Sequence, residues 1–299
     1  MRSSGGSNTA KRSESGSIQG HDRTGWKLIP HPGLRVAKVA KNFVQPFPPK
    51  LLASFATKQR IFNEIPHAHP NLSRVENTMF PRQPIKLHDS QQHGFGSGAE
   101  LILVEGDSAS RSVARARDSS FQAVLPMQGK PMNSLRSNRR TIERNELYAA
   151  LIDAMGSGIE DYFHLDSIRY ERVVLLFDPD ADGIHCGALM MMFFYRWMRP
   201  LLEFGRVSVV RAPMFEISAR RYKDTLLAYG EEHYRVIREQ LDAKGIEGIK
   251  INRFRGLASL NEDTLRKTCL HPNTRAVSEM GLHDAEEAIR IFCPNMSAS

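Results

Sequence analysis

The stretch Val173-Val174-Leu175-Leu176-Phe177-Asp178-Pro179-Asp180-Ala181-Asp182-Gly183 decides how this chain is read. Its first five residues are apolar and rich in β-branching, the composition of a strand buried on both faces. It ends abruptly in three aspartates spaced two apart. Parallel strands present ligand-binding groups at their carboxyl ends. Three carboxylates gathered there repel one another: at about 5 Å and an effective dielectric of about 20, each pair costs roughly 3 kcal/mol. A divalent cation relieves that cost, and hard oxygen donors with room for water suit Mg²⁺. The spacing Asp178-x-Asp180-x-Asp182-Gly183 also matches the start of a calcium-binding EF-hand loop. That reading fails, because the twelfth position is Leu189, where a bidentate Glu is required, and the preceding run is of β type. A purely structural acidic turn stays open.

Upstream, Leu101-Ile102-Leu103-Val104 reads as a second buried strand, and Glu105-Gly106-Asp107-Ser108 follows it directly. A carboxylate there again sits where α/β sheets bind ligands, and Gly106 permits a tight turn. Taken alone, the motif is equally a helix N-cap. Between and beyond these points, strands are expected at Ala123–Leu125 and Val207–Val210. Helices are expected over Ser108–Arg117, Thr141–Met155 and Gly187–Phe204, and residues 219–299 read as helix-rich around one extended segment, Ile249-Lys250-Ile251. Alternation of β and α at this spacing predicts an α/β fold with a parallel, layered sheet flanked by helices.

The 299 residues carry a net charge of +8, unevenly spread. Residues 1–97 hold 14 Lys/Arg against 5 Asp/Glu, whereas the remainder holds 27 against 28. A basic segment favours polyanions such as DNA; its plain alternative is a solvated tail. Residues 1–25 are Ser/Gly-rich and of low complexity, and residues 26–97 are Pro-rich with little periodicity. Three divisions are therefore expected: 1–97 basic and mostly irregular, 98–218 the α/β domain, and 219–299 a C-terminal region. Cys186, Cys269 and Cys293 lie far apart with no CxxC pair, which argues against zinc, against a disulfide framework and for a reducing compartment. The first twenty residues lack an apolar h-region, and the longest apolar run, Ala188–Phe194, is too short to span a bilayer. A cytoplasmic, nucleoid-associated protein without membrane contact is expected.

A Glu after one strand and three Asp after another is the arrangement of the Toprim domain, the metal-dependent module of topoisomerases, primases and some nucleases, which this chain resembles. The flanking residues narrow the resemblance. Glu100–Ala109 (ELILVEGDSA), Gln122–Lys130 (QAVLPMQGK), Asp178–His185 (DPDADGIH) and Phe193–Arg196 (FFYR) are similar to the bacterial type IIA topoisomerase B subunit, that is, gyrase B or its topoisomerase IV counterpart. Arg211–Phe215 (RAPMF) and Asn252–Asn261 (NRFRGLASLN) continue it, the latter resembling the family's QRYKGLGEMN segment.

The resemblance implies that Glu105, Asp178 and Asp180 bind Mg²⁺ beside the scissile phosphate, with Asp182 as a supporting carboxylate. It further implies that Glu105 acts as general acid in religation and that His185 belongs to the catalytic group, although a lone His is more often a structural hydrogen-bonding residue. Lys130 and Asn133 match DNA-touching positions, Arg253 and Arg255 lie in the Asn252–Asn261 segment as DNA contacts, and Arg136, Arg139, Arg140 and Arg144 add a basic stretch. The nucleophilic tyrosine is expected on a partner A subunit. Departures stand at Ser110-Arg111 and Ala258-Ser259, where the family has Gly-Gly and Gly-Glu, and at Ala116, Pro131 and Gly187. They touch loops rather than the carboxylates. The family uses ATP, but no ATP-binding glycine motif or Walker loop is found here, so the expectation is that any ATPase is a separate polypeptide. The leading reading is an Mg²⁺-dependent topoisomerase subunit that cleaves and rejoins double-stranded DNA. The alternative is a non-catalytic paralogue that binds DNA or the A subunit and modulates a complete topoisomerase; a free-standing Toprim nuclease ranks last.

Overall fold

The computed structural model describes residues 87–220 and 225–293. The expected basic segment therefore lies outside the described residues except for 87–97. Along the chain run β1 (Glu100–Glu105), α1 (Gly106–Ala116), β2 (Gln122–Met127), α2 (Arg139–Arg144), α3 (Glu146–Met155), β3 (Arg172–Leu176), α4 (Ala181–Trp197), α5 (Arg199–Glu203) and β4 (Val207–Val210). There follow β5 (Phe215–Ala219), β6 (Leu226–Ala228), α6 (Glu231–Ala243), β7 (Ile249–Arg253), α7 (Glu262–Leu265) with a π turn (Arg266–Leu270), β8 (Val277–Met280) and α8 (Leu282–Phe292).

The main sheet has the order β2-β1-β3-β4-β8, with β2, β1, β3 and β4 parallel. Because side chains alternate along a strand, each central strand feeds two cores. Leu101, Leu103, Val173 and Leu175 enter the layer built with α3, α4 and α8. Ile102, Val104, Val174 and Leu176 enter the layer built with α1 and residues 254–270. All eight are fully buried, which accounts for the unbroken apolar runs.

The sheet departs from the expected parallel pattern at one edge. β8 pairs antiparallel with β4, and α8, which follows it, packs back against α4. Two element boundaries also differ. Asn145 divides the expected helix Thr141–Met155 into two: it is extended, ends α2, and accepts the Tyr148 N–H over 3.1 Å to start α3. The expected helix Gly187–Phe204 begins earlier, at Ala181 capped by Asp180, and breaks at Met198 before Pro200, whose ring cannot continue a helix. Residues 215–253 hold a second, antiparallel sheet of order β6-β5-β7: β7 takes up the expected extended segment Ile249-Lys250-Ile251, β6 falls where the C-terminal region reads as helix-rich, and β5 shows its strand character in the alternation of buried Phe215 and Ile217 with less buried Glu216 and Ser218.

Two polar networks hold the amino ends of the strands. Arg275 donates to both oxygens of Glu100, at 2.5 and 2.7 Å, and Gln122 Nε2 donates to Glu100 Oε2 (2.9 Å) and to the Leu270 carbonyl (2.8 Å). Arg275 and Glu100 are almost wholly buried. On the incoming segment, Asp89 accepts from Tyr170 Oη, from Arg169 Nη2 at 2.7 Å and from the Ser90 N–H at 2.8 Å, and lies 2.8 Å from His93 Nε2. Partial burial opposes its charge, but these hydrogen bonds outweigh the burial and hold the carboxyl well below its ordinary range.

Arg275→Met leaves the buried Glu100 without its counter-charge, and should cost about 3–5 kcal/mol in denaturant unfolding, with part of the loss recovered in Glu100→Gln/Arg275→Met. Asp89→Asn removes a depressed carboxyl. Its deficit in stability should be full above the unfolded value of 3.8 and shrink as pH falls below it, as unfolding midpoints at pH 7 and pH 3 will report.

Candidate active site at the carboxyl ends of the strands

The parallel register pairs Val104 with Leu176, so Glu105 and Asp178 emerge at one edge of the sheet. Glu105 closes β1 and stands at the N-cap of α1, yet its side chain makes no capping bond. Gly106 supplies the turn with φ +76°. Asp178 Oδ1 accepts the Leu257 N–H over 2.8 Å. Two glycines make room for Asp178: a Cβ on Gly183 would meet its carbonyl oxygen at 2.0 Å, and one on Gly256 would meet Oδ2 at 2.5 Å.

The other two aspartates have different partners. Asp180 caps α4, its Oδ1 accepting the Gly183 N–H over 2.9 Å. Asp182 is exposed and ion-pairs with Lys130 Nζ at 2.8 Å. His185 is half-buried in the first turns of α4, and its ring stacks on Phe292.

An open cleft of about 440 Å³ lies over this edge, lined among others by Glu105, Ser108, Asp178, Arg255, Gly256 and Ser259. Of the four expected metal carboxylates, Glu105 and Asp178 line the cleft, whereas Asp180 and Asp182 are not among its lining residues. Among the described residues no group of three or more His, Cys, Asp or Glu is drawn together closely enough to hold a metal ion. The donor chemistry nonetheless fits a hard cation, for the carboxylates act on one another across the site. Burial first, and then the charges of Asp178, Asp180 and Asp182, push the Glu105 carboxyl up, with Lys130 opposing. Burial and then Asp180 push Asp178 up against the Leu257 N–H, which pulls it down. The Lys130 hydrogen bond holds Asp182 low. Burial, helped by the Lys130 charge and opposed by Asp182, lowers the His185 imidazole below its ordinary value.

The expected DNA contacts divide in the same way. Lys130 and Asn133 are exposed beside α4 and α8; Asn133 Nδ2 donates to Cys293 Sγ at 3.1 Å. Arg255 lines the cleft, and its N–H donates to Ser259 Oγ over 3.0 Å. Arg253 is engaged on the second sheet, 3.2 Å from Glu231 and over the Phe215 ring, and does not line the cleft. Arg136, Arg139, Arg140 and Arg144 are exposed, with Arg139 paired to Glu143 and stacked over Tyr162. Sequence reasoning missed the Leu257 N–H and Ser259 as organisers of the cleft. The glycine in Arg255-Gly256-Leu257 was the available signal, and Ser259, read as a departure from the family pattern, holds the arginine loop by accepting from Arg255 and donating to the Gly256 carbonyl at 2.6 Å.

Residues 100–212 match the Toprim domain. Over 219 residues the chain is 40% identical to the B subunit of DNA gyrase from Thermotoga maritima, a match that covers 73% of this chain and 33% of that protein. It is 38% identical over 209 residues to the gyrase B subunit of Halalkalibacterium halodurans, covering 70% of this chain and 32% of the relative. It is 36% identical over 194 residues to the B subunit of DNA topoisomerase 4 from Bacillus subtilis, covering 64% and 29%. The chain thus spans about a third of the length of the curated relatives it matches.

Gly256→Ala meets both the Asp178 carboxylate and a backbone φ of +153°, and should lower stability by about 1–3 kcal/mol in thermal or denaturant unfolding. Glu105→Gln removes a charge that the fold penalises. Without divalent cations it should stabilise the chain at pH 7, and the gain should vanish below the ordinary carboxyl value of 4.5, where Glu105 is protonated in both states.

Proposed function

We propose, from the premise that residues 100–212 are a Toprim domain and that the chain belongs with the gyrase B and topoisomerase IV B subunits over the part it shares with them, that it supplies the metal-dependent half of a DNA cleavage and religation site. The observation that carries this reading is the pairing of Glu105 and Asp178 at adjacent strand ends over one open cleft. Glu105 and Asp178 would hold Mg²⁺, with Asp180 and Asp182 in support. When bound, Mg²⁺ supplies Lewis-acid stabilisation of the leaving 3′ oxygen.

The chain's own groups do the rest. A Glu105 carboxyl raised by burial and by its acidic neighbours retains a proton more readily than an ordinary glutamate, which suits a general acid in religation. Arg255, on the cleft wall, would bind a phosphate next to the carboxylates, with Lys130 and Asn133 as further backbone contacts and Arg253 beyond the cleft. His185, half-buried in the first turns of α4, would join them in the catalytic group. The nucleophilic tyrosine belongs to the A subunit in this reading, and ATP hydrolysis to another segment or polypeptide. Residues 98–218 form the metal-dependent unit, 219–299 the region that follows it, and 1–97 a basic segment suited to DNA. No helix among the described residues is long and apolar enough to cross a membrane, and a cytoplasmic, nucleoid-associated location goes with the DNA substrate.

The second reading, a non-catalytic paralogue that binds DNA or the A subunit, draws on the engagement of Asp180 with α4 and of Asp182 with Lys130. A plasmid cleavage assay with the full chain, Mg²⁺ and a purified gyrase A subunit separates the two. Linear DNA trapped on denaturation is expected, at least about 100-fold reduced in Asp178→Ala. Absence of cleavage, with A-subunit pull-down and DNA gel shift both positive, would favour the paralogue.

A further inference from the structure

The turn that ends α8 reaches two site residues from separate parts of the chain. Phe292 closes the helix and Cys293 follows it. The Phe292 ring stacks on the His185 imidazole with centroids 5.3 Å apart and planes 8° apart. Cys293 Sγ accepts from Asn133 Nδ2. Phe292 is itself held: it is 9% exposed and shares a buried helix face with Ala285, Ala288 and Ile289, all within the core that α4 fills. A stacked imidazole slides in its own plane at little cost but loses contact when it tilts. The aromatic wall therefore selects the plane in which the ring nitrogens lie.

We propose that Phe292 is a positioning residue of the site, setting the plane of the His185 imidazole while the adjoining Cys293 steadies Asn133. The proposal rests on the reading that His185 acts during DNA cleavage. Its sequence signal is slight, since a Phe at the end of an amphipathic helix reads as ordinary core. Only the pairing of α8 with α4 in space gives it a second role.

The test compares Phe292→Leu and Phe292→Tyr in the full chain labelled with ¹³C at histidine Cε1, with His185→Gln to identify the His185 signal. Phe292→Leu should lose the ring-current shift on that signal, and Phe292→Tyr should keep it. In the cleavage assay with Mg²⁺ and gyrase A subunit, Phe292→Leu should be slower by on the order of 10-fold at unchanged apparent affinity for DNA, and Phe292→Tyr should restore the rate. A His185 signal that does not move in Phe292→Leu overturns the proposal, as does wild-type cleavage by Phe292→Leu when His185→Gln is slow. Should His185→Gln itself cleave normally, the role given to His185 falls, while the ring-current shift still decides whether Phe292 holds the ring.

Discussion

The Asp178 carboxylate is the point on which the two halves of the site depend. It leaves β3 beside Glu105, and its Oδ1 accepts the Leu257 N–H from a segment 79 residues later. Its carbonyl oxygen and Oδ2 leave no room for a Cβ on Gly183 or Gly256. One residue thus ties the strand edge, the start of α4 and the loop carrying Arg255 to one another. Burial and like charge raise its proton affinity, and the backbone N–H of Leu257 offsets part of that cost. The arrangement keeps two carboxylates close at one edge of the sheet.

The remaining charges are managed one by one. Asp180 is absorbed by the amino end of α4, where a carboxylate is favoured by the unpaired N–H groups. Asp182 is matched by Lys130 on the surface, a contact worth little in stability but felt across the site. Glu105 is pushed up by burial first and then by all three aspartates, with Lys130 opposing only in part. This unequal sharing distinguishes a cleft-facing pair from two flanking carboxylates, a difference that identical residue types spaced two apart do not announce.

At the opposite ends of the strands the polar groups serve the fold rather than the chemistry. Glu100 and Arg275 are paired out of water and joined by Gln122, which fastens the residues after α7 to the first strands of the sheet. Asp89 fastens the incoming segment through Tyr170 and Arg169. Rigid amino ends leave the carboxyl ends of β1 and β3 fixed relative to each other. That fixed spacing lets two short acidic motifs act as one site.

Much of the fold is legible in the sequence. The buried strands Leu101–Val104 and Val173–Leu176 followed from unbroken apolar runs, and their acidic ends followed from position, because period-2 burial on both faces and ligand binding at strand ends are local rules. The Toprim resemblance rested on residues that the domain match at 100–212 covers. What the sequence left undecided depends on contacts distant along the chain. The division at Asn145, the second sheet around Phe215–Ala219, the return of β8 to the main sheet, the meeting of Asp178 with Leu257 and that of His185 with Phe292 all arise from packing. Local pattern determined which side chains are acidic, apolar or strand-forming. Only the tertiary structure decided which carboxylates face the cleft, because that choice is made by backbone N–H groups, glycine clearances and an opposing lysine that one-dimensional spacing cannot bring together.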